Sequence, residues 1–250
     1  MEIRKVEAAH GWLWFQQGWA LFRQSAVLWV VLTALATVAL ALLIKVRLIG
    51  DPLATLLSPV LIGGLWMGCR DLEKGEELEL AHLFAGFRHN TAQLVTLGGI
   101  NLVSQLLIYG VMKVTGGAAL VELMQTPQQD IDLQAMTAAL SQASVALPLG
   151  ALLSCVLCML LWFAPLLVIF GGISPVDALK TSWQTCLRNM GALLVYGLAL
   201  MPLALVASIL MGLGWLILLP VIVTSLYASY RDIFPQSVAP AAPSLPQPSP

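Results

Sequence analysis

Six long runs of apolar residues, separated by shorter polar stretches, dominate the pattern of hydrophobic and polar positions along the chain. About 20 apolar residues are enough for a helix to cross a bilayer. The runs predict an all-α membrane bundle with six transmembrane helices, at residues 27–44, 52–69, 91–112, 145–170, 192–210 and 215–230. They make a single integral membrane domain over residues 1–234, and the Pro-rich tail at 235–250 is expected to be disordered.

Three amphipathic segments alternate with these runs and are too polar to cross a membrane. In the clearest one, residues 174–192, Ser174 and Pro175 are typical of a helix start, and Asp177 stands where a capping acid belongs. Segments 1–25 and 70–90 have comparable patterns. Each is expected to lie on the membrane surface, with its apolar side toward acyl chains or packed helices. In segment 174–192, the apolar positions with helical spacing are Val176, Leu179, Trp183, Leu187 and Met190.

Each amphipathic segment ends in an arginine close to the next apolar run. The junctions read LFRQS at 21–25, GFRHN at 86–90 and CLRNM at 186–190. This shared order predicts three repeats of a surface helix followed by a helical hairpin. The arginines are interpreted either as anchors that fix the topology or as residues that bind lipid headgroups. The candidate interfacial residues are Arg23, Arg88, Asn90, Lys180, Arg188 and Asn189.

Basic residues are distributed unevenly between the two sides of the predicted bundle. Six spans place both termini on one side, and of the 12 Lys and Arg residues the opposite loops hold only Lys45, Arg47 and Lys113. Because basic loops stay in the cytoplasm, we expect a multi-pass bacterial inner membrane protein with both termini cytoplasmic. A net charge of −1 provides no general basic field, so no nucleic-acid partner is expected.

The composition agrees with a chain that has lipid as its main solvent. Only 10% of the residues are charged, against about 25% in soluble domains. Within the third run, Asn101, Ser104 and Gln105 are candidates for a polar lining or for hydrogen bonds between helices. Cys155 and Cys158 form a C-x-x-C inside an apolar run, where two buried apolar thiols are expected.

Residue patterns that would indicate an enzyme are missing from the sequence. It contains no Walker loop, no H-E-x-x-H and no G-x-S-x-G motif. The predicted spans also lack the charged residues that pumps and proton-coupled transporters use. His82 and His89 are interpreted as solvated surface residues rather than metal ligands. We therefore predict no catalytic residue, no metal and no cofactor.

Three motifs, Phe163-Ala-Pro-Leu, Ser174-Pro-x-x-Ala-Leu-Lys-x-Ser and Leu187-Arg-Asn, resemble those of a family of uncharacterised proteobacterial inner-membrane proteins. That family is similar in turn to the membrane domain attached to some glycerophosphodiester phosphodiesterases. The resemblance covers spans four to six well and the first half loosely. It implies six helices, an inner-membrane location and a lipid context. It implies no activity, because the catalytic barrel of those phosphodiesterases is absent here.

These observations favour a non-enzymatic membrane protein whose partners are membrane lipids or another membrane protein, for which it acts as a scaffold. The alternative is a transporter or channel for a small neutral or lipidic solute. Prolines within the predicted spans and the polar pair Asn101 and Gln105 are the features that favour this alternative.

Overall fold

The computed structural model describes residues 2–125, 133–209 and 212–235, and every regular element in these ranges is helical. The first helices are α1 (His10–Gln24), α2 (Ala26–Ile44), α3 (Gly50–Glu73), a 3₁₀ helix (Leu80–Phe87) and α4 (Thr91–Met112). A π-helical turn (Lys113–Gly117) leads into α5 (Ala118–Gln125), followed by α6 (Leu133–Gln142), α7 (Ala146–Leu161) and α8 (Ala164–Gly171). The last three described helices are α9 (Pro175–Arg188), α10 (Met190–Ile209) and α11 (Trp215–Ile233).

Six helical stretches in the described ranges are long and apolar enough to cross a membrane. They are Ala26–Ile44, Gly50–Glu73, Thr91–Leu123, Ala146–Gly171, Met190–Ile209 and Trp215–Ile233. The third stretch runs on past α4 through the π-helical turn, and the fourth joins α7 to α8. The predicted all-α fold with six membrane-spanning helices is confirmed.

Two of these helices, α3 and α11, form the centre of the bundle. Their apolar windows are 56% buried inside the protein, whereas those of α2, α4 and α10 are at most 22% buried. The indole N–H of Trp66 on α3 donates to the carbonyl oxygen of Val223 on α11 at 3.1 Å. In a bilayer, acyl chains cover the large apolar side chains that the outer helices leave exposed. On α10 these are Leu194, Leu198, Met201, Leu205, Val206 and Ile209.

The two ends of the bundle differ in composition. We call the end that carries residues 2–25, 74–90, 172–189 and 231–235 the terminal face, and the other end the opposite face. On the opposite face, α5 and α6 cover the ends of α4 and α7 with a small apolar core that includes Met112, Val121, Ala139 and Ala146. Residues 236–250 of the predicted tail lie outside the described residues.

The fourth span, predicted at residues 145–170, corresponds to the membrane-spanning stretch Ala146–Gly171. It is two helices, α7 and α8, which are separated at Trp162 and Phe163. Pro165 causes the break, because proline has no backbone N–H and its ring clashes with the carbonyl four residues earlier. The Ser182 hydroxyl of α9 enters the gap, where it accepts from the Phe163 N–H at 3.0 Å and donates to the Met159 carbonyl at 2.7 Å. A continuous helix would have joined that same N–H and carbonyl directly.

The second amphipathic segment packs tightly against α3 as a 3₁₀ helix. Gly86 of this helix and Gly64 of α3 face each other across the contact. A Cβ atom on Gly86 would overlap the Val60 carbonyl, and one on Gly64 would overlap the His82 carbonyl. Only glycine allows two backbones to approach so closely. The apolar side chains that this packing leaves exposed are Leu80, Phe84 and Phe87.

Candidate functional site

The α9 helix lies on the terminal face, directly before the membrane-spanning α10. It begins as predicted, because the Ser174 hydroxyl accepts from the Asp177 N–H at 3.2 Å and donates to the Asp177 carboxylate at 2.7 Å. Its apolar side faces outward, with Val176 and Leu187 about half exposed at 56% and 51%. A helix with small residues toward the protein and apolar residues outward is suited to the membrane interface. The side that packs against α7 and α8 consists of Ala178, Ser182, Thr185 and Cys186.

Among the described residues, the cysteines form no disulfide and belong to no group of potential metal ligands. The expectation that Cys155 and Cys158 are buried is wrong, because both are exposed. The side of α7 that packs inward instead carries Ala146, Gly150 and Leu157. On α9, burial and then the neighbouring Cys158 raise the pKa of the Cys186 thiol to about 12. That thiol is therefore protonated at neutral pH and is not a nucleophile.

Asn189, at the end of α9, joins this helix to the N-terminal segment. The residue is 1% exposed. The amide oxygen accepts from the Val6 N–H at 2.9 Å, and the amide nitrogen donates to the carbonyls of Arg4 and Thr185 at 3.2 Å each. Both polar atoms of this amide are hydrogen-bonded to the backbone, so Asn189 has a structural role beside the candidate site.

Asp232, at the end of α11, holds the N-terminal segment from the other side. One carboxylate oxygen lies 2.6 Å from His10 Nδ1 and accepts from the indole N–H of Trp14 at 2.8 Å. The other oxygen pairs with the Arg4 guanidinium at 3.1 Å. Gly18 lets α1 pack directly on α11, because a Cβ atom there would overlap the backbone of Ser225. Residues 2–24 are thereby fixed against the ends of α9 and α11.

This packing creates a basic pocket of about 410 Å³ at the terminal face. Arg4 and Lys5 come from the N-terminal segment and Arg188 comes from the last turn of α9. Glu2 is the acid among the lining residues, which also include Ile3 and Pro235. Neither Lys5 nor Arg188 forms an ion pair with any described residue. Arg188 was predicted from the sequence, whereas the contribution of Arg4 and Lys5 was not, although their adjacent charges at the start of the chain could have indicated it.

The other predicted interfacial residues occupy the same face but different elements. Arg23, Arg88 and Lys180 are exposed, and within the described ranges none of them pairs with an acid. Asn90 adopts a left-handed backbone conformation, with φ of 55°, and donates through its amide to the Val168 carbonyl on α8 at 2.8 Å. It therefore positions the start of α4, as Asn189 positions the N-terminal segment.

Exposed aromatic residues accompany these cations. Trp12 and Trp19 of α1 are 49% and 39% exposed, and Phe84 and Phe87 of the 3₁₀ helix are 58% and 42% exposed. Trp12 stacks on Phe15, and Trp19 packs against Phe22. Aromatic rings of this kind are enriched where hydrocarbon meets headgroups. The terminal face thus combines the two residue types that occur at a membrane interface.

The candidates for a polar lining lie within the bundle. Asn101 and Gln105 line a cleft between α4 and α7, and the Gln105 amide donates to the Asn101 oxygen at 3.0 Å. Ser104 is half-buried and is not among the residues that line this cleft.

His82 and His89 are not brought together as metal ligands. The His82 ring contacts the Asp71 carboxylate at 3.2 Å, and its Nδ1 accepts from the Glu79 N–H at 2.9 Å. No group of three or more potential metal ligands is found among the described residues.

A family model described as a domain of unknown function, DUF7847, matches residues 80–249. The chain belongs to this family. It is also 32% identical, over 271 aligned residues, to a probable inner membrane protein of Burkholderia thailandensis, with 100% of this chain and 99% of the relative covered. No solved structure matches the chain. With its six membrane-spanning helices, this member of the DUF7847 family is a multi-pass inner membrane protein.

Proposed function

We propose that this protein binds anionic lipid headgroups at the cytoplasmic leaflet of the inner membrane and has no enzymatic activity of its own. The single observation that carries the proposal is the basic pocket of Arg4, Lys5 and Arg188. It lies directly before Met190, where the membrane-spanning α10 begins. A pocket at this position is at the depth of lipid phosphate groups.

The geometry of the pocket suits a phosphate group. Arginine can bind phosphate through two parallel hydrogen bonds, and lysine contributes a compact charge. Arg4 is already oriented by Asp232, whereas the side chains of Lys5 and Arg188 pair with no described acid and can engage a ligand. Three cations line the pocket, against Glu2 in the lining and Asp232 beside Arg4, so the pocket keeps a net positive charge.

The charge distribution supports a cytoplasmic terminal face. The opposite face carries Lys45, Arg47 and Lys113, and the other nine of the 12 basic residues lie on the terminal side. Anionic lipids give the cytoplasmic leaflet a negative surface potential, which attracts each nearby Lys or Arg by about 1 kcal/mol. Arg23, Arg88 and Lys180 would add to this attraction without forming a pocket.

Two other roles are supported by particular features. A partner membrane protein would fit the exposed aromatic side of α1, because Trp12 and Trp19 there are suited to protein contact as well as to lipid. Transport of a neutral or lipidic solute is favoured by the break between α7 and α8, since broken helices line substrate sites in transporters. A similarity to the membrane domain of glycerophosphodiester phosphodiesterases would fit a lipid context, and it would assign no catalytic residue here.

Native mass spectrometry with added phosphatidylglycerol tests the proposal. The double variant Lys5→Gln/Arg188→Gln removes two pocket charges. At about 1 kcal/mol for each charge, the affinity for phosphatidylglycerol should fall roughly 30-fold. Zwitterionic phosphatidylethanolamine should bind the two proteins equally.

The matched control is Lys45→Gln/Arg47→Gln, which removes two charges from the opposite face. It should leave phosphatidylglycerol binding within about twofold of the unsubstituted protein, because no basic pocket is altered. Equal losses in the two double variants would show that only total charge matters, and unchanged binding in the pocket variant would refute the proposal.

A further inference from the structure

Two clefts within the bundle meet at Asn101. The first, of about 330 Å³, is lined by Asn101 and Gln105 of α4 and by Ser154 and Cys158 of α7. The second, of about 250 Å³, shares Asn101 and Leu161 with the first. Its remaining lining is mostly apolar and includes Pro59, Trp66, Leu97, Trp162 and Pro165. Taken together, the two adjoining clefts fall within the range of about 300–1,000 Å³ that is typical of ligand sites.

The first cleft contains hydrogen-bonding capacity that the protein does not use. The Gln105 amide donates to the Asn101 oxygen. In the described part of the chain, the Asn101 amide nitrogen donates to no acceptor and the Ser154 hydroxyl makes no hydrogen bond. Polar groups without partners are costly in the hydrocarbon region. A ligand that offers both acceptors and a donor would satisfy them.

The depth of the cleft limits the charge of such a ligand. Asn101 lies ten residues after Thr91, where α4 begins. This separation corresponds to about 15 Å along the helix, or half of a hydrocarbon core that is roughly 30 Å thick. Among the described residues, no Lys, Arg, Asp or Glu lines either cleft. A charged headgroup would have no counter-charge at this depth, so a neutral polar group is required.

We propose that the two clefts hold one neutral lipid of the acylglycerol type. Its ester and hydroxyl groups lie against Asn101, Gln105 and Ser154, and its acyl chain occupies the apolar second cleft beside the α7–α8 break. Ser182 keeps this break open by replacing the direct backbone hydrogen bond there. The inference does not depend on the basic pocket, which lies at the terminal face and is proposed to bind anionic rather than neutral headgroups.

Photo-crosslinking with a dioleoylglycerol that carries a diazirine in its acyl chain tests this site. We expect crosslinks to peptides containing Leu97, Leu161 and Trp162. The double variant Asn101→Leu/Gln105→Leu should reduce crosslinking about tenfold, which is the effect of losing one or two hydrogen bonds. Ser104→Ala, on the same helix but outside the cleft lining, is the control and should leave crosslinking unchanged.

A second variant guards against misfolding of the first. Ser154→Leu fills the first cleft from α7 and should also abolish crosslinking, while the purified protein keeps its elution profile. Unlabelled dioleoylglycerol should compete, and hexadecane, which has no polar group, should not. Lys5→Gln/Arg188→Gln should leave crosslinking unchanged, which separates this proposal from the pocket proposal.

Three results would overturn the inference. One is equal crosslinking in the unsubstituted protein, Asn101→Leu/Gln105→Leu and Ser154→Leu. Another is crosslinking spread over the exposed apolar surfaces of α2 and α10. The third is competition by phosphatidylglycerol as strong as that by dioleoylglycerol, which would exclude a preference for neutral lipids.

Discussion

Gly86→Ala should lower the thermal midpoint of unfolding by roughly 6–12 °C, the shift expected from a loss of about 3 kcal/mol in a chain of this size. The added methyl group would overlap the Val60 carbonyl of α3, a backbone atom that no rotamer change can move. The 3₁₀ helix would have to separate from α3, and its contact with Gly64 would be lost. Thermal unfolding followed by tryptophan fluorescence in detergent measures the shift.

Gly110→Ala is the matched control for this prediction. It makes the same chemical change in α4, where nothing lies within 4 Å of the new methyl group. Because alanine is a better helix former than glycine by about 1 kcal/mol, the midpoint should stay the same or rise. If the Gly86→Ala and Gly110→Ala proteins had the same thermal midpoint of unfolding, the 3₁₀ helix would not be docked on α3.

Ser182→Ala should destabilise the protein by about 2–4 kcal/mol, because the buried Phe163 N–H loses its partner and the Met159 carbonyl keeps only the weak thiol donor of Cys186, at 3.5 Å. The hydroxyl bridges the Phe163 N–H and the Met159 carbonyl at the break between α7 and α8. The residue is fully buried, so water cannot readily replace the hydroxyl. Hydrogen exchange at residues 159–166 should increase, and the unfolding midpoint should fall.

The control for Ser182→Ala is Ser141→Ala in α6. Its hydroxyl donates to the Ala138 carbonyl of its own helix and is exposed, so the expected change is below about 0.5 kcal/mol. If the two serine variants had equal stability and equal exchange at residues 159–166, α7 and α8 would not depend on the α9 side chain.

The membrane-spanning helices follow from local properties of the sequence. Their length and apolar character depend on adjacent residues alone, so the runs at 91–112 and 192–210 correspond closely to α4 and α10. The start of α9 is equally local, since Ser174 and Asp177 are three residues apart. Such features require no knowledge of which helices pack together.

The contacts that build the candidate site depend on residues distant in sequence. Pro165 is visible in the sequence, but Ser182 determines how the break is satisfied from another helix. Asn189 was expected at the interface, yet its amide binds Arg4 and Val6, more than 180 residues away. The small residues at 178, 182, 185 and 186 recur at helical spacing, and this was the available signal that their side of α9 faces the protein.

In the proposed topology, one end of the bundle faces the cytoplasm and carries all three amphipathic segments. Labelling with a membrane-impermeant maleimide tests this topology, with single cysteines introduced into a variant in which the four native cysteines are replaced by alanine. Lys74→Cys and Lys180→Cys should react in inside-out vesicles and not in intact spheroplasts. Lys45→Cys and Lys113→Cys should react in spheroplasts. Labelling of Lys74→Cys and Lys180→Cys from opposite sides of the membrane would contradict the account.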